Sequence, residues 1–341
     1  MQTHRENQGL SVVKSNLPLH LDTHDVPPLP LAPFMTQDPP PGAPPLGSDP
    51  NTVNTWWNGL SAEDQSTFPI TAAGYVGSMT GIPIKARDQA NRALLGGLYP
   101  EVLNNYNSPS DSLGESQSTI KAMLIGMSDL ATRLDGKSVT GNIDPNNQFQ
   151  HAPGVAMPGT PYLILFDDAG QGRWVLSLGD PDTAQTIVVY VGGDGRGLND
   201  WLFQDLSNND ALYGAILKAG DNPADVAAII WIGYDAPSMG LDLTKIPPWP
   251  TIDQAVAAAP AFAPFQRGLI VMHQNGGMAP HITVIGHSYG TDVVAETTLN
   301  GYSLVADDIV LIGSPGVPAA NASVLTANTV TSSRKPAPAQ V

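Results

Sequence analysis

Two hydrophobic rhythms divide the chain. From Pro161 onward, short apolar runs of four to seven residues recur between polar or glycine-rich breaks. Tyr162–Phe166 and Arg173–Leu178 flank the turn Asp167–Gly172 and predict a hairpin. Four further runs, Thr186–Val191, Val226–Ile232, Ile282–Ile285 and Ile309–Ile312, are apolar on both alternating faces, as buried strands are. Longer amphipathic segments lie between them, at Trp201–Lys218, Ile252–Met272 and Thr291–Asn300, and predict helices. Buried strands alternating with helices imply an α/β fold, with a mainly parallel sheet covered on both faces.

The segment before this is helical in pattern. Trp56, Trp57 and Leu60 cluster on one turn, Ser61 and Asp64 form a helix-start pair, and Pro83 opens a run in which Ile84, Ala90, Ala93, Leu94 and Leu95 recur at helical spacing. A further helix is expected over Thr119–Leu134. The Trp pair reads as a staple of helix to core more readily than as a ligand platform. Asp88 and Arg92, four residues apart, read as a surface ion pair.

The termini follow neither rhythm. Ten prolines fall between Val26 and Pro50, which favours an extended spacer. The stretch after Val317 is rich in Ala, Asn, Ser, Thr and Pro, without apolar periodicity. The expected organisation is a Pro-rich tail over 1–50, a helical segment that could act as a lid over 51–135, an α/β core over 136–317 and a structureless tail over 318–341.

Composition narrows the function. The 341 residues carry 31 acidic against 15 basic side chains, a net charge of −16. Such a field repels phosphate backbones and anionic lipid surfaces, so no nucleic-acid partner is expected. There are no cysteines, which removes disulfides, thiolate metal sites and cysteine nucleophiles. His, Asp and Glu show no metal-ligand spacing, so neither metal nor cofactor is expected. Met1–Lys14 lacks the apolar stretch of a signal peptide, and no run approaches 18 uninterrupted apolar residues. The expectation is a cytoplasmic protein without a transmembrane segment.

One motif carries chemistry. Gly286-His287-Ser288-Tyr289-Gly290 fits G-x-S-x-G. At this glycine and serine content, about one chain in four would contain such a match by chance, so its setting decides its meaning. It directly follows the Ile282–Ile285 strand and opens a helix, the strand–turn–helix context that lifts a serine hydroxyl off the carboxyl edge of a sheet. Ser288 is therefore the candidate nucleophile. The amide of Tyr289 is one candidate oxyanion donor, at the start of a helix whose dipole favours negative charge. The second is expected from the glycine-rich loop after Thr186–Val191, at Gly192 and Gly193, where the backbone can approach a substrate oxygen.

With these residues in view, the chain resembles an actinobacterial family of α/β-hydrolases known as a domain of unknown function. The resemblance runs from about Trp56 to Val317. It rests on Trp56–Ser61, Gly81–Pro83 with Ala86–Arg92, Leu178–Ala184, Trp231–Pro237, Gly286–Gly290 and Gly313–Gly316. It implies an α/β-hydrolase-like fold and a serine nucleophile at Ser288, and it supplies no substrate.

In that fold the triad runs serine, acid, histidine. Here all seven histidines, His4, His20, His24, His151, His273, His281 and His287, precede Ser288. His151, expected in a loop, is the one base candidate free to reach the site. The chain thus reads as a family member cut short, with an open sheet edge that invites self-association. Two functions compete. One is acyl transfer on a small-molecule ester or amide through Ser288; the other is a catalytically inactive binding protein or relic.

Overall fold

A computed structural model describes residues 39–107, 116–199, 201–237, 252–274, 279–326 and 329–330. Most of residues 1–50 and the end of the 318–341 tail lie outside these.

The central sheet has six strands in the order β3-β4-β6-β5-β7-β9. They are β3 (Pro161–Asp167), β4 (Arg173–Leu178), β5 (Thr186–Val191), β6 (Val226–Ile232), β7 (His281–His287) and β9 (Asp308–Ile312). β3, β4 and β6 pair antiparallel; β6, β5, β7 and β9 run parallel. Every strand and helix expected from Pro161 to Ile312 is present, within two residues at most ends. The two expected helices that start on Trp201 and Ile252 begin one residue later, as α6 (Leu202–Lys218) and α7 (Asp253–Gln274).

The order of connections sets the site. From β5 the chain crosses through α6 to β6 on one side, and from β6 through α7 to β7 on the other. α6 packs on one face with Leu202, Leu206 and Tyr213, in a core shared with Trp174, Leu176 and Ile230. α7 and α8 (Gly290–Leu299) pack on the opposite face, where Ala258, Phe262, Val293 and Val294 meet Ile187, Val189, Ile282 and Val284. The loops leaving β5 and β7 therefore diverge to opposite faces, which makes their carboxyl ends the switch point at which open α/β sheets bind ligands.

α7 is also long and apolar enough by composition to cross a membrane, although polar residues interrupt its apolar run. More than half of it is buried inside the protein, with Ala255, Ala258, Phe262, Phe265 and Leu269 in the core.

The helical N-terminal segment comprises α1 (Pro50–Asn58), α2 (Ala62–Thr71), α3 (Ala73–Ser78), α4 (Ile84–Asn107) and α5 (Gln117–Leu134). Ser61 caps α2 through the amide of Asp64, as its spacing predicts. Trp56 stacks on Phe68 and meets Tyr75 edge-on, so the Trp pair is packing. The Asp88–Arg92 pair is more than a surface contact. Asp88 accepts from the Leu163 amide at 2.6 Å and from Arg92 Nε at 2.8 Å, while Arg92 donates to Pro161 and Leu134 carbonyls, clasping α4 to the edge strand β3.

Three expectations need correction. Residues 137–156 form a separate antiparallel hairpin, β1 (Lys137–Asp144) and β2 (Asn147–Ala156), and His151 lies in β2 rather than in a loop. These strands are mostly polar, so hydrophobic periodicity could not reveal them. The tail from 318 contains α9 (Ala322–Thr326) and β10 (Thr329–Val330), the latter parallel to β8 (Leu304–Val305). α9 is held by Leu325 and Val324 in a small cluster with Ala295 and Ala319. The end of the Pro-rich stretch is also docked, because Tyr75 donates to the Pro44 carbonyl and Asp49 caps α1.

Candidate active site

The site is built around one backbone anomaly. Ser288 has φ of +53°, and it is the one non-glycine residue with positive φ among the described residues. An L-residue in this region costs about 1–2 kcal/mol, a strain that concentrates at functional sites. Three hydrogen bonds to two residues hold the turn. The Ser288 amide donates to the Ile312 carbonyl at 2.9 Å, and the Ser288 carbonyl accepts from the Thr291 amide and hydroxyl at 3.0 and 2.7 Å. The Thr291 hydroxyl also meets that of Ser314 at 2.8 Å.

Both motif glycines are needed for close approach. A Cβ on Gly290 would lie 2.2 Å from the Val191 carbonyl oxygen, and one on Gly286 would lie 2.9 Å from Thr291 Cα. The end of β5 and the start of α8 are therefore packed on the turn at backbone distance.

The glycine loop after β5 reaches the same point. A Cβ on Gly193 would sit 2.9 Å from Ser288 Cβ and 3.0 Å from the Tyr289 nitrogen. Gly192 behaves differently, since its carbonyl accepts from the buried Tyr234 hydroxyl at 2.8 Å. A trans peptide directs its C=O and N–H to opposite sides. Tyr234, by holding the Gly192 oxygen, turns the Gly193 amide the other way. Tyr234 stacks between Trp231 and Tyr289, with centroids 5.8 and 6.4 Å away, and burial pushes its hydroxyl well above the ordinary range. The Tyr289 hydroxyl accepts from the Ala255 amide at 3.1 Å, tying the start of α7 to the elbow; burial pushes its pKa up to about 12.

A second layer braces the loop. Arg196 lies beside Gly192 and pairs with Asp205 at 3.4 Å. Burial lifts the Asp205 carboxyl to about 7, while Arg196 pulls it down. Asp205, Tyr234 and Arg196 were not expected as site residues. Nothing in their spacing marks them, because they converge only through the sheet.

The structure thus brings Ser288, Tyr289, Gly192 and Gly193 together. It places His151 elsewhere: its Nδ1 meets Asp129 at 2.7 Å and its ring lies 4.7 Å from Phe203. Phe203 and Asp205 are two positions apart on α6, about 200° around the helix. Asp205 faces Arg196, so His151 sits against the other side of α6. His287 stacks on Tyr190, and burial, with Arg196 adding to it, lowers its pKa. His281 pairs with Asp308 at the amino edge. His273 is buried with its ring nitrogens on the Leu269 and Ala184 carbonyls. Among the described residues no group of three His, Asp or Glu could hold a metal ion.

Residues 167–335 match a family model described as Alpha/beta hydrolase. An uncharacterized protein of Mycobacterium tuberculosis strain H37Rv is 29% identical over 290 residues, which cover 82% of this chain and 42% of that protein. An uncharacterized protein of Mycobacterium bovis is 34% identical over 182 residues, 50% of this chain and 63% of that one. The chain thus spans less than two thirds of either relative. No solved structure matches. The sheet order, the helices on its two faces and the family match agree: the chain carries an α/β-hydrolase fold.

Proposed function

We propose that this protein is a serine hydrolase that cleaves an ester or amide by acyl transfer through Ser288. The observation that carries the reading is the strained Ser288 backbone with Gly193 packed against it. In this scheme the Ser288 hydroxyl attacks the substrate carbonyl, and its proton passes to a general base. The carbonyl oxygen gains the negative charge and is met by the amides of Tyr289 and Gly193. Collapse of the tetrahedral species expels the alcohol or amine, and water then releases the acid from Ser288. Two donors aimed at that oxygen act in a partly dry site, where each such donor is worth about 10²–10³ in rate.

The base is the open part of the scheme. Among the described residues no side chain hydrogen-bonds the Ser288 hydroxyl, and His151 and His287 are engaged with Asp129 and Tyr190. That engagement favours a second reading, a binding protein that uses the same switch point.

Intact-mass labelling with a fluorophosphonate separates the two. A single adduct on the wild type that is lost in Ser288→Ala supports the hydrolase. A folded protein that takes no adduct supports binding.

A further inference from the structure

The glycine loop that packs on Ser288 is held there by partners from two other connections. The Gly192 carbonyl accepts from the Tyr234 hydroxyl at 2.8 Å, the Gly195 amide donates to the Pro237 carbonyl at 2.7 Å, and the Leu198 amide donates to the Gln171 carbonyl at 2.8 Å. Tyr234 and Pro237 follow the end of β6, and Gln171 lies in the turn between β3 and β4. The loop is thus hung between two segments far apart in sequence. It can be placed no better than those two are placed against each other.

Asp235 ties them together. It lies between Tyr234 and Pro237, and its side chain reaches the other segment. Oδ1 accepts from the Gln171 amide at 3.1 Å, and Oδ2 lies 3.6 Å from Nη2 of the buried Arg173. The contact is close, since a Cβ on Gly170, at φ of +62°, would overlap the Asp235 carboxylate. Gln171 returns the link by donating its side-chain amide to the Ala236 carbonyl. Trp174 Nε1, on β4, also donates to the Gly197 carbonyl at 3.2 Å. Arg173 keeps a second carboxylate, Asp167, at 3.6 Å, so its charge is not left to Asp235 alone.

We infer that Asp235 is a positioning residue of the proposed acyl transfer: through the Gln171 amide it sets where the glycine loop, and with it the Gly193 amide, stands against Ser288. Its consequence for rate rests on Ser288 as nucleophile; its consequence for the loop rests on the hydrogen bonds alone. The role differs from that of an acid that orients a base. Such an acid needs its negative charge to stabilise the protonated base. A positioning acceptor needs only an oxygen in place, and both Asp235 oxygens are engaged by Gln171 and Arg173.

The test compares Asp235→Asn with Asp235→Ala, and takes Asp88→Ala as the control. Asparagine keeps an oxygen for the Gln171 amide and drops the charge; alanine drops both. Asp88 likewise accepts a backbone amide and pairs with an arginine, but on β3, four places from β7 in the sheet. Two readouts are taken: hydrogen exchange by mass over 192–199, and fluorophosphonate labelling at Ser288. Asp235→Ala should exchange about tenfold faster over 192–199. It should label about tenfold more slowly or worse, since displacement of a reacting or stabilising group from a distance can cost about 10²-fold. Asp235→Asn should stay within about threefold of wild type on both readouts. Asp88→Ala should leave both near wild type, whatever thermal midpoint it loses. An Asp235→Asn protein as impaired as Asp235→Ala would make the charge the operative feature and overturn the inference. Unchanged exchange in Asp235→Ala, or the same acceleration in Asp88→Ala, would overturn it too. Exchange needs no turnover, so the two readings fail separately: a wild type that takes no adduct counts against the hydrolase, while faster exchange rescued by asparagine still supports the tether.

Discussion

Gly193→Ala is the sharpest perturbation of the proposed site. The added methyl would meet the His287 carbonyl oxygen at 2.8 Å, Ser288 Cβ at 2.9 Å and the Tyr289 nitrogen at 3.0 Å. All three belong to the backbone or the first side-chain carbon, and the elbow is pinned by β9, so none can rotate aside. Gly193 does not have positive φ, and alanine there is therefore not strained by its own dihedral. The loop must move away by a few tenths of an ångström, carrying the Gly193 amide with it. Loss of one oxyanion donor costs about 10²–10³ in rate, or ~2.7–4 kcal/mol of transition-state stabilisation. Gly192→Ala provides the contrast. Its methyl meets Ile232 Cδ1 at 2.4 Å, the free end of a flexible side chain, and the Gly192 carbonyl is committed to Tyr234. The assay is the second-order rate of fluorophosphonate labelling at Ser288, read beside the thermal midpoint. Gly193→Ala should label about 100-fold more slowly with little loss of midpoint, and Gly192→Ala should stay within about tenfold of the wild type. A Gly193→Ala protein that labels within twofold of wild type would refute the packing of this loop on Ser288.

Other outcomes follow from the same geometry. Tyr234→Phe removes the hydroxyl that holds the Gly192 oxygen, so labelling should slow by about tenfold while the ring stack keeps the fold; an unchanged rate would deny Tyr234 a positioning role. In urea unfolding, Ser288→Gly should be about 1 kcal/mol more stable than Ser288→Ala, because only glycine is at ease at φ of +53°; equal stabilities would mean the turn is relaxed. Asp205 holds its proton more tightly folded than unfolded, with a folded pKa of about 7 against about 4 for a free carboxyl. The folded state therefore binds more protons between those values, and stability falls as pH rises through them. Asp205→Asn should flatten that fall, and an unchanged slope between pH 4 and 7 would place its cause elsewhere.

How much of this was legible depends on how local each signal is. The strands of the central sheet announce themselves because burial on both faces demands continuous apolar runs, and Thr186–Val191 or Val226–Ile232 leave no room for a polar alternative. Ser288 was legible for a related reason: glycines on either side of it are a steric demand written in sequence. The hairpin 137–156 was not, because it packs one face on α5 and shows little apolar periodicity. Tyr234 and Asp205 were hidden for a different cause. One ends the run after β6 and the other lies in the first turn of α6, and only the order β6-β5-β7 brings both to the loop after β5.

That order also explains why glycine, strain and switch point coincide at one place. A parallel sheet whose chain leaves β5 for one neighbour and returns to the other must send α6 and α8 to opposite faces. The start of each helix then presents backbone amides across the same gap. For the gap to be narrow enough that both reach one substrate oxygen, the loop after β5 has to pass the elbow at backbone distance, which leaves no space for a side chain at position 193 or 290. The serine between them must turn sharply to enter α8, and the left-handed φ is the cost of that turn. A tight structural turn with a buried serine would need the strain but not the glycine loop opposite. The two together, from segments nearly a hundred residues apart, are the geometry that the proposed acyl transfer requires and that a merely tight turn does not.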